Sequence, residues 1–213
     1  MKPIRIAISL LISCAGASLP AQAAPPIADI SKMDVLGIKL GDSPENVRNA
    51  LSNAGFRIKR ENPGESFFDL VELKVSERRG GPVKRQMTGV RHIHATRNVN
   101  EEMFVEFVAE RAGSRVKEVQ FQLGRPENVD IAHFKGEAVR KYGKPTFNGK
   151  LIEWCGGEPH TTGCSLRDDR AFLESAYLVF MKLERGRQYL FVNHHQAIAS
   201  EVDRQAPKAR PSL

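Results

Sequence analysis

The clearest pattern of apolar and polar positions in this chain begins after residue 43. Four apolar residues recur at the i, i+3, i+4 and i+7 spacing of one helical face, namely Val47, Ala50, Leu51 and Ala54. Ser43 suits the N-cap, Pro44 suits the first helical position, and Gly55 suits the residue that ends a helix. The pattern predicts an amphipathic helix.

From residue 56 to residue 123 the pattern changes to the alternation that is typical of strands. Alternating segments predict strands at 56–60, 70–76, 88–96, 103–108 and 119–123, and a short extended segment at 34–41 precedes the helix. The turns between these segments are short, whereas a parallel crossover needs a dozen or more residues. We therefore expect an antiparallel meander with one packed face and one solvated face.

A second helix is predicted after Asp130, which suits its N-cap. Its apolar face consists of Ile131, Phe134, Ala138 and Tyr142, and Gly143 and Pro145 end it. Further strands are predicted at 150–154, 176–183 and 188–192, followed by a short final helix at 195–205. This order of elements predicts an α+β fold in which helices pack on one face of an antiparallel meander sheet.

A repeated motif indicates how the chain is divided. Residues 40–47 and 123–129 share the letters L-G and P-E-N-V, and each copy is followed by a helix and then strands. We predict a flexible lead-in at 24–33, a first helix-plus-meander half at 34–125, a second helix-plus-strands half at 126–206, and a tail at 207–213. One continuous sheet with two helices on one face is the alternative to two tandem repeats.

The first 23 residues have the three parts of a bacterial export signal. Lys2 and Arg5 carry the charge, and the apolar run at 6–17 is shorter than the roughly 20 residues that span a membrane. Ala21-Gln22-Ala23 is a cleavage site of small residues. We therefore expect cleavage after Ala23, a periplasmic or secreted protein, and no transmembrane segment.

The three cysteines divide between this signal and a loop in the second half. Leu11-Ile12-Ser13-Cys14 resembles the lipobox of bacterial lipoproteins, so a lipid-modified Cys14 is an open alternative. Cys155 and Cys164 flank a loop rich in turn residues, and an exported protein reaches a compartment that permits a disulfide between them. A metal site that uses both thiolates and His160 is the alternative.

The formal net charge of +7 falls to +5 when residues 1–23 are removed. A moderate positive charge suits an envelope protein with an acidic surface, or an anionic envelope component. No dense basic patch interleaved with aromatic residues indicates nucleic acid. The densest basic cluster, Arg78, Arg79, Lys84 and Arg85, surrounds Gly80-Gly81-Pro82 and is predicted to be the tip of a hairpin between two strands.

The candidate catalytic groups do not form a known signature. His92 and His94 lie on one face of a predicted strand and could contribute two ligands to a metal, but no third ligand can be named. Adjacent Asp168 and Asp169 are typical of a turn or a helix cap. The chain has no nucleophile elbow and no phosphate-binding glycine loop. We predict no catalytic residue, no metal and no cofactor, with a metal-dependent hydrolase as the less favoured alternative.

Two segments resemble a group of small bacterial envelope domains. Residues 37–51 resemble the opening motif of the outer-membrane-assembly lipoproteins and of the tandem-repeat β-lactamase inhibitor proteins. The sequence Lys141-Tyr142-Gly143-Lys144-Pro145 resembles the turn that ends the helical part of such a unit. The resemblance implies helices packed on an antiparallel sheet, and protein binding without catalysis.

The expected function is that of an exported, non-catalytic protein that binds another envelope protein. The expected contacts are polar side chains on turns of a rigid scaffold, namely Arg78, Arg79, Lys84, Arg85 and His160. A lipid-anchored envelope-assembly component, with Cys14 as its anchor, is the alternative.

Overall fold

The computed structural model describes residues 27–124, 130–175 and 179–207. They form an α+β fold with one antiparallel sheet of eight strands in the order β1-β2-β3-β4-β8-β7-β6-β5, which confirms the predicted fold class. The strands are β1 (Arg57–Gly64), β2 (Gly89–Asn98), β3 (Glu101–Glu110), β4 (Gly113–Leu123), β5 (Phe147–Asn148), β6 (Leu151–Cys155), β7 (Arg170–Ser175) and β8 (Val179–Glu184).

Four helices accompany this sheet in the described residues. Three of them are α1 (Pro44–Asn53), α2 (Phe67–Arg79) and α3 (Ile131–Tyr142). The fourth, α4, begins as one α-helical turn (Arg187–Leu190), continues as a π-helical segment (Phe191–Gln196), and ends as an α-helix (Ala197–Gln205). A single 3-10 turn (Ile30–Lys32) precedes α1.

The sheet consists of two four-stranded meanders, β1 to β4 and β5 to β8. Their last strands, β4 and β8, pair antiparallel in the middle of the sheet. Helix α3 follows β4 in the chain and leads to β5 at the far edge. Both halves therefore contribute to one continuous sheet, and their origin by duplication stays a prediction.

One face of the sheet is covered by α1, α3 and the N-terminal segment. Fully buried sheet residues on this face include Ile93, Met103, Val105, Val119, Leu173 and Leu183. Val47 and Leu51 of α1 are buried against them, and Phe134 and Ala138 of α3 join the same core. The predicted apolar faces of both helices are therefore the faces that pack.

The predicted N-caps of α1 and α3 are confirmed. The Ser43 hydroxyl accepts a hydrogen bond from the Asn46 backbone N–H at 3.2 Å. The Asp130 carboxylate accepts one from the His133 N–H at 2.9 Å. Each cap satisfies a backbone donor that the first helical turn leaves free.

The predicted strand at 70–76 is wrong, because this segment belongs to α2. Ser66 and Asp69 form a capping box at its start, and Gly80 adopts a left-handed conformation (φ +68°) at its end. Phe67, Val71 and Val75 lie four residues apart on its buried face. The basic cluster is therefore the end of a helix and the loop that follows, and the predicted hairpin tip is also wrong.

The predicted strand at 188–192 is wrong as well, since these residues begin α4. The last part of α4 buries Ile198 and Val202 against Phe67, Val71 and Val75 of α2, which forms a second, smaller core. The predicted final helix at 195–205 is confirmed as the end of this longer helix.

Residues 27–33 of the predicted flexible lead-in pack against the rest of the fold. Ile30 and Met33 are buried in the main core, and the Ala28 N–H donates to the Cys155 carbonyl at 2.7 Å. The residues of the predicted export signal, and nearly all of the predicted tail, lie outside the described residues.

Candidate functional site

The second face of the sheet, which we call the open face, carries side chains that alternate with the buried ones. Its central residues are half-buried, and they include the aromatic rings of Phe104, Phe172 and Phe180. This face spans strands of both meanders, so it presents a wide surface on a hydrogen-bonded scaffold.

Three carboxylates lie side by side across the middle of the open face. Glu106 on β3 is opposite Glu118 on β4, which in turn is opposite Glu184 on β8. Like charges directly opposite each other destabilise a sheet. Lys117 compensates Glu106 at 2.9 Å, and Lys182 contacts both Glu118 (2.8 Å) and Glu184 (3.1 Å).

Arg170 extends this ion-pair network toward β6. Its guanidinium donates to Glu184 and lies 3.8 Å from the buried carboxylate of Glu153. It also lies 5.1 Å from the centre of the Phe172 ring, and Lys182 lies 5.6 Å from the same ring. Arg170, Lys182 and Glu184 therefore hold one another and the Phe172 ring in position on this part of the open face.

The pKa shifts of Glu106 and Lys182 favour the charged form of each side chain. Burial alone would raise the pKa of Glu106, but the ion pair with Lys117 outweighs it and lowers the pKa. Burial alone would lower the pKa of Lys182, but its bonds to Glu118 and Glu184 raise it. A general acid or base needs a pKa near the working pH, so both shifts favour an electrostatic role.

His92 and His94 lie on the open face beside Phe104. The His94 ring stacks on the Phe104 ring with centroids 4.5 Å apart, and its Nε2 lies 3.4 Å from the Glu102 carboxylate. Burial lowers the pKa of His92. The negative charge of Glu106 raises it in part, but His94 and Arg60 lower it, so the pKa is lowered overall. In the part of the chain that the structure describes, no group of three or more His, Cys, Asp or Glu side chains is arranged to hold a metal.

The β1 edge of the open face carries cations that sequence reasoning missed. Arg57 is opposite Thr96 and Arg60 is opposite His94, with Lys59 at a bulge between them. All three are exposed, and none has an acidic partner within ion-pair distance among the described residues. Three basic residues within four positions of a predicted strand were the available signal.

The four basic residues predicted as binding contacts divide into two pairs. Arg78 forms an ion pair with Asp203 (2.6 Å) and donates to the Ala206 carbonyl (2.7 Å), and Arg79 donates to the Gln205 carbonyl (2.6 Å). These two arginines fasten the end of α2 to the end of α4. Lys84 and Arg85 lie in the exposed loop that follows α2 and have no bonded partner among the described residues.

The predicted disulfide between Cys155 and Cys164 is present, with an S–S distance of 2.09 Å and Cα atoms 5.1 Å apart. His160 lies in the loop that this disulfide closes, where its side chain is exposed and its N–H donates to the Gly163 carbonyl at 3.0 Å. In the described residues, no hydrogen bond or ion pair joins this loop to Lys84 or Arg85. The use of these residues as binding contacts stays a prediction.

Asp169 and His194 have structural partners. The Asp169 carboxylate accepts from Arg185 (2.6 Å) and from the Gly186 N–H (2.8 Å), as expected of a residue in a turn. The His194 Nδ1 lies 2.8 Å from the Ala109 carbonyl and joins α4 to β3.

No protein-family model, curated protein or solved structure matches this chain. The resemblance of residues 37–51 to bacterial envelope domains therefore stays a prediction. None of the helices in the described ranges is long and apolar enough to cross a membrane.

Proposed function

We propose that this chain is an exported, non-catalytic protein that binds another envelope protein through the open face of its sheet. The observation that carries this proposal is the composition of that face. It combines half-buried aromatic rings, charges that are already held in ion pairs, and an edge of unpaired cations.

Aromatic side chains and arginines supply most of the energy in many protein interfaces. On the open face Phe104 is held by the stacked His94, and Phe172 is held by Arg170 and Lys182. Side chains that are already ordered lose less conformational entropy when a partner binds. The open face therefore suits a preformed binding surface.

The unpaired charges favour a partner with an acidic surface. The carboxylates at the centre of the face are compensated by Lys117, Lys182 and Arg170. The cations at the β1 edge, Arg57 and Arg60, have no such partners and would attract acidic groups. Exposed charges are screened by salt, so we expect binding to weaken at high ionic strength.

The disulfide and the N-terminal sequence support an exported protein. Disulfides persist in the periplasm and outside the cell, and Cys155–Cys164 is formed here. Mass spectrometry of the N-terminus of the chain from the envelope separates the two routes of export. A chain that starts at Ala24 supports a free periplasmic protein, and a lipid-modified Cys14 supports the anchored alternative.

The test is affinity capture from a native envelope extract with three forms of the protein. We expect the wild type to retain a specific partner, and the variant Arg57→Glu/Arg60→Glu to lose it. The control variant Lys144→Glu/Lys150→Glu has the same change of charge at exposed positions outside the central open face and should capture as the wild type does. Capture that survives reversal at Arg57 and Arg60 would overturn the proposed site.

A fourth form, Lys84→Glu/Arg85→Glu, tests the contacts predicted from sequence. If the partner is lost with this variant alone, the protein binds through the loop after α2 and the open face has no part in capture.

A further inference from the structure

The segment 80–88 between α2 and β2, which we call the basic loop, has an unusual combination of exposed side chains. Val83 is 50% exposed and Met87 is 54% exposed. Lys84 and Arg85 are also exposed, and no residue of the loop is buried in either core. The fold gains nothing from the apolar surface of this loop, although exposing that surface to water is unfavourable.

The loop is fixed to α2 on both sides of Met87. The Gln86 side chain donates to Glu72 at 3.4 Å. The Thr88 hydroxyl and N–H donate to Asp69 at 2.7 and 2.9 Å. These bonds hold Met87 alongside the first turns of α2, where the Phe68 ring is 58% exposed.

Positive charge surrounds these apolar groups. Lys84 and Arg85 lie between Val83 and Met87 in the sequence, and Arg78 and Arg79 lie at the adjoining end of α2. Both α2 arginines are already bonded to α4, so of these four cations Lys84 and Arg85 remain available, and Lys74 of α2 is exposed as well. Glu72 and Glu77 on α2 reduce the positive charge of this region but do not cancel it.

We infer that the basic loop docks this protein on the surface of an anionic phospholipid bilayer. Within five residues, Val83 and Met87 flank the two cations Lys84 and Arg85. In a bilayer, lipid phosphates lie next to the acyl boundary, so Val83 and Met87 enter that boundary while Lys84 and Arg85 contact the phosphates. Neither contribution alone gives stable attachment, but the two together reinforce each other.

Attachment to a bilayer through the basic loop is independent of the proposed binding of a protein by the open face. The inference uses no residue of the open face, so either proposal can fail without the other. It also differs from lipid modification of Cys14, because it requires only the surface of the folded protein.

The test is a flotation assay with lipid vesicles. It uses the exported form of the protein, purified from the cells that express it. We expect it to bind vesicles that contain phosphatidylglycerol, to bind phosphatidylcholine vesicles much less, and to be released by high salt. Lys84→Glu/Arg85→Glu should weaken binding by at least roughly thirtyfold, which corresponds to the loss of two cations near an anionic surface. The variant Lys144→Glu/Lys150→Glu is the matched charge control and should bind as the wild type does.

The apolar contribution has its own pair of variants. Val83→Ser/Met87→Ser should weaken vesicle binding, whereas Val99→Ser/Leu166→Ser removes exposed apolar side chains elsewhere and should not. A Met87→Trp variant reports insertion directly, because the only natural tryptophan, Trp154, is fully buried. Its emission should shift to the blue with phosphatidylglycerol vesicles only.

Three results would overturn the inference. They are no binding to anionic vesicles, binding that is equal on neutral vesicles, and binding that the changes at Val83, Lys84, Arg85 and Met87 leave intact.

Discussion

The guanidinium of Arg78 donates a hydrogen bond to the backbone carbonyl of Ala206 at 2.7 Å, although the two residues are 128 positions apart in the sequence. The last carbonyls of a helix have no partner within the helix. Arg78, at the end of α2, supplies that partner to Ala206, the C-cap residue of α4, so it stabilises the contact between these two helices.

Replacement of Arg78 by methionine should lower the free energy of unfolding by about 1–2 kcal/mol, because a charged hydrogen bond to a part-buried carbonyl is lost. Urea unfolding measures this effect. Lys84→Met, which removes an exposed cation without a bonded partner in the described residues, should change stability by less than about 0.5 kcal/mol. An equal effect of both variants would contradict the structural role of Arg78.

Asp69 predicts a dependence of stability on acid pH. Burial alone would raise its pKa, but hydrogen bonds from Ser66 and Thr88 outweigh it and lower the pKa to about 2. The folded state therefore favours the ionised carboxylate. Its contribution to stability is complete above the unfolded pKa of about 3.9 and is lost as the pH falls toward 2.

The variant Asp69→Asn should be about 1–2 kcal/mol less stable at neutral pH, since it loses charged hydrogen bonds in a capping box. Its stability should also fall less steeply between about pH 4 and pH 2. Some dependence on pH will remain, because bonds from Arg204 and Gln205 lower the pKa of Glu201 to about 2 as well. Glu77→Gln is the control variant. If the free energy of unfolding of Asp69→Asn depends on pH in the same way as that of Glu77→Gln, this prediction is wrong.

Reduction of the Cys155–Cys164 disulfide should lower the free energy of unfolding by about 2–3 kcal/mol, the value expected for a loop of this length. Urea unfolding with and without a reductant measures it. The variant Cys155→Ala/Cys164→Ala should start from the lower stability and show no response to the reductant. A response in that variant would mean that the reductant acts elsewhere.

Lys182 lies between two of the three carboxylates that cross the sheet. Its replacement by methionine would leave Glu118 without its cation, opposite a Glu184 that keeps only its bond from Arg170. We expect a loss of about 1–2 kcal/mol, between the values for exposed and buried ion pairs. The loss should be larger at low salt, where repulsion is less screened. Lys144→Met, at an exposed position, should have no comparable effect in the same urea titration.

Helix α1 could be predicted from sequence because all of its signals are local. The cap at Ser43, the proline at position 44 and the apolar spacing of Val47 and Leu51 point to the same element. Helix α2 could not be predicted in this way, because Val71 and Val75 fit both the alternation of a strand and the spacing of a helix. Their contact with Val202, far along the chain, favours the helix. The capping box at Ser66 was the local signal that identifies it.

Most strands of the open face could be predicted, but their neighbours across the sheet could not. The alternation in β3 and β4 indicates which residues share a face, so Phe104 groups with Glu106 on β3 and Glu118 groups with Gln120 on β4. The pairing of β4 with β8 depends on the path of the whole chain. For this reason the contact between Glu118 and Lys182 required the structure, whereas the cations at Arg57 and Arg60 are apparent in the sequence itself.

Photo-crosslinking in living cells tests the central proposal most directly. A photoreactive phenylalanine analogue in place of Phe104 samples the middle of the open face, and the same analogue in place of Lys144 samples an exposed control position. We predict that irradiation joins the protein, through position 104 only, to one envelope protein, and that Arg57→Glu/Arg60→Glu abolishes this adduct. No protein adduct at position 104, or an identical set of adducts at both positions, would contradict the account of the open face as a binding surface.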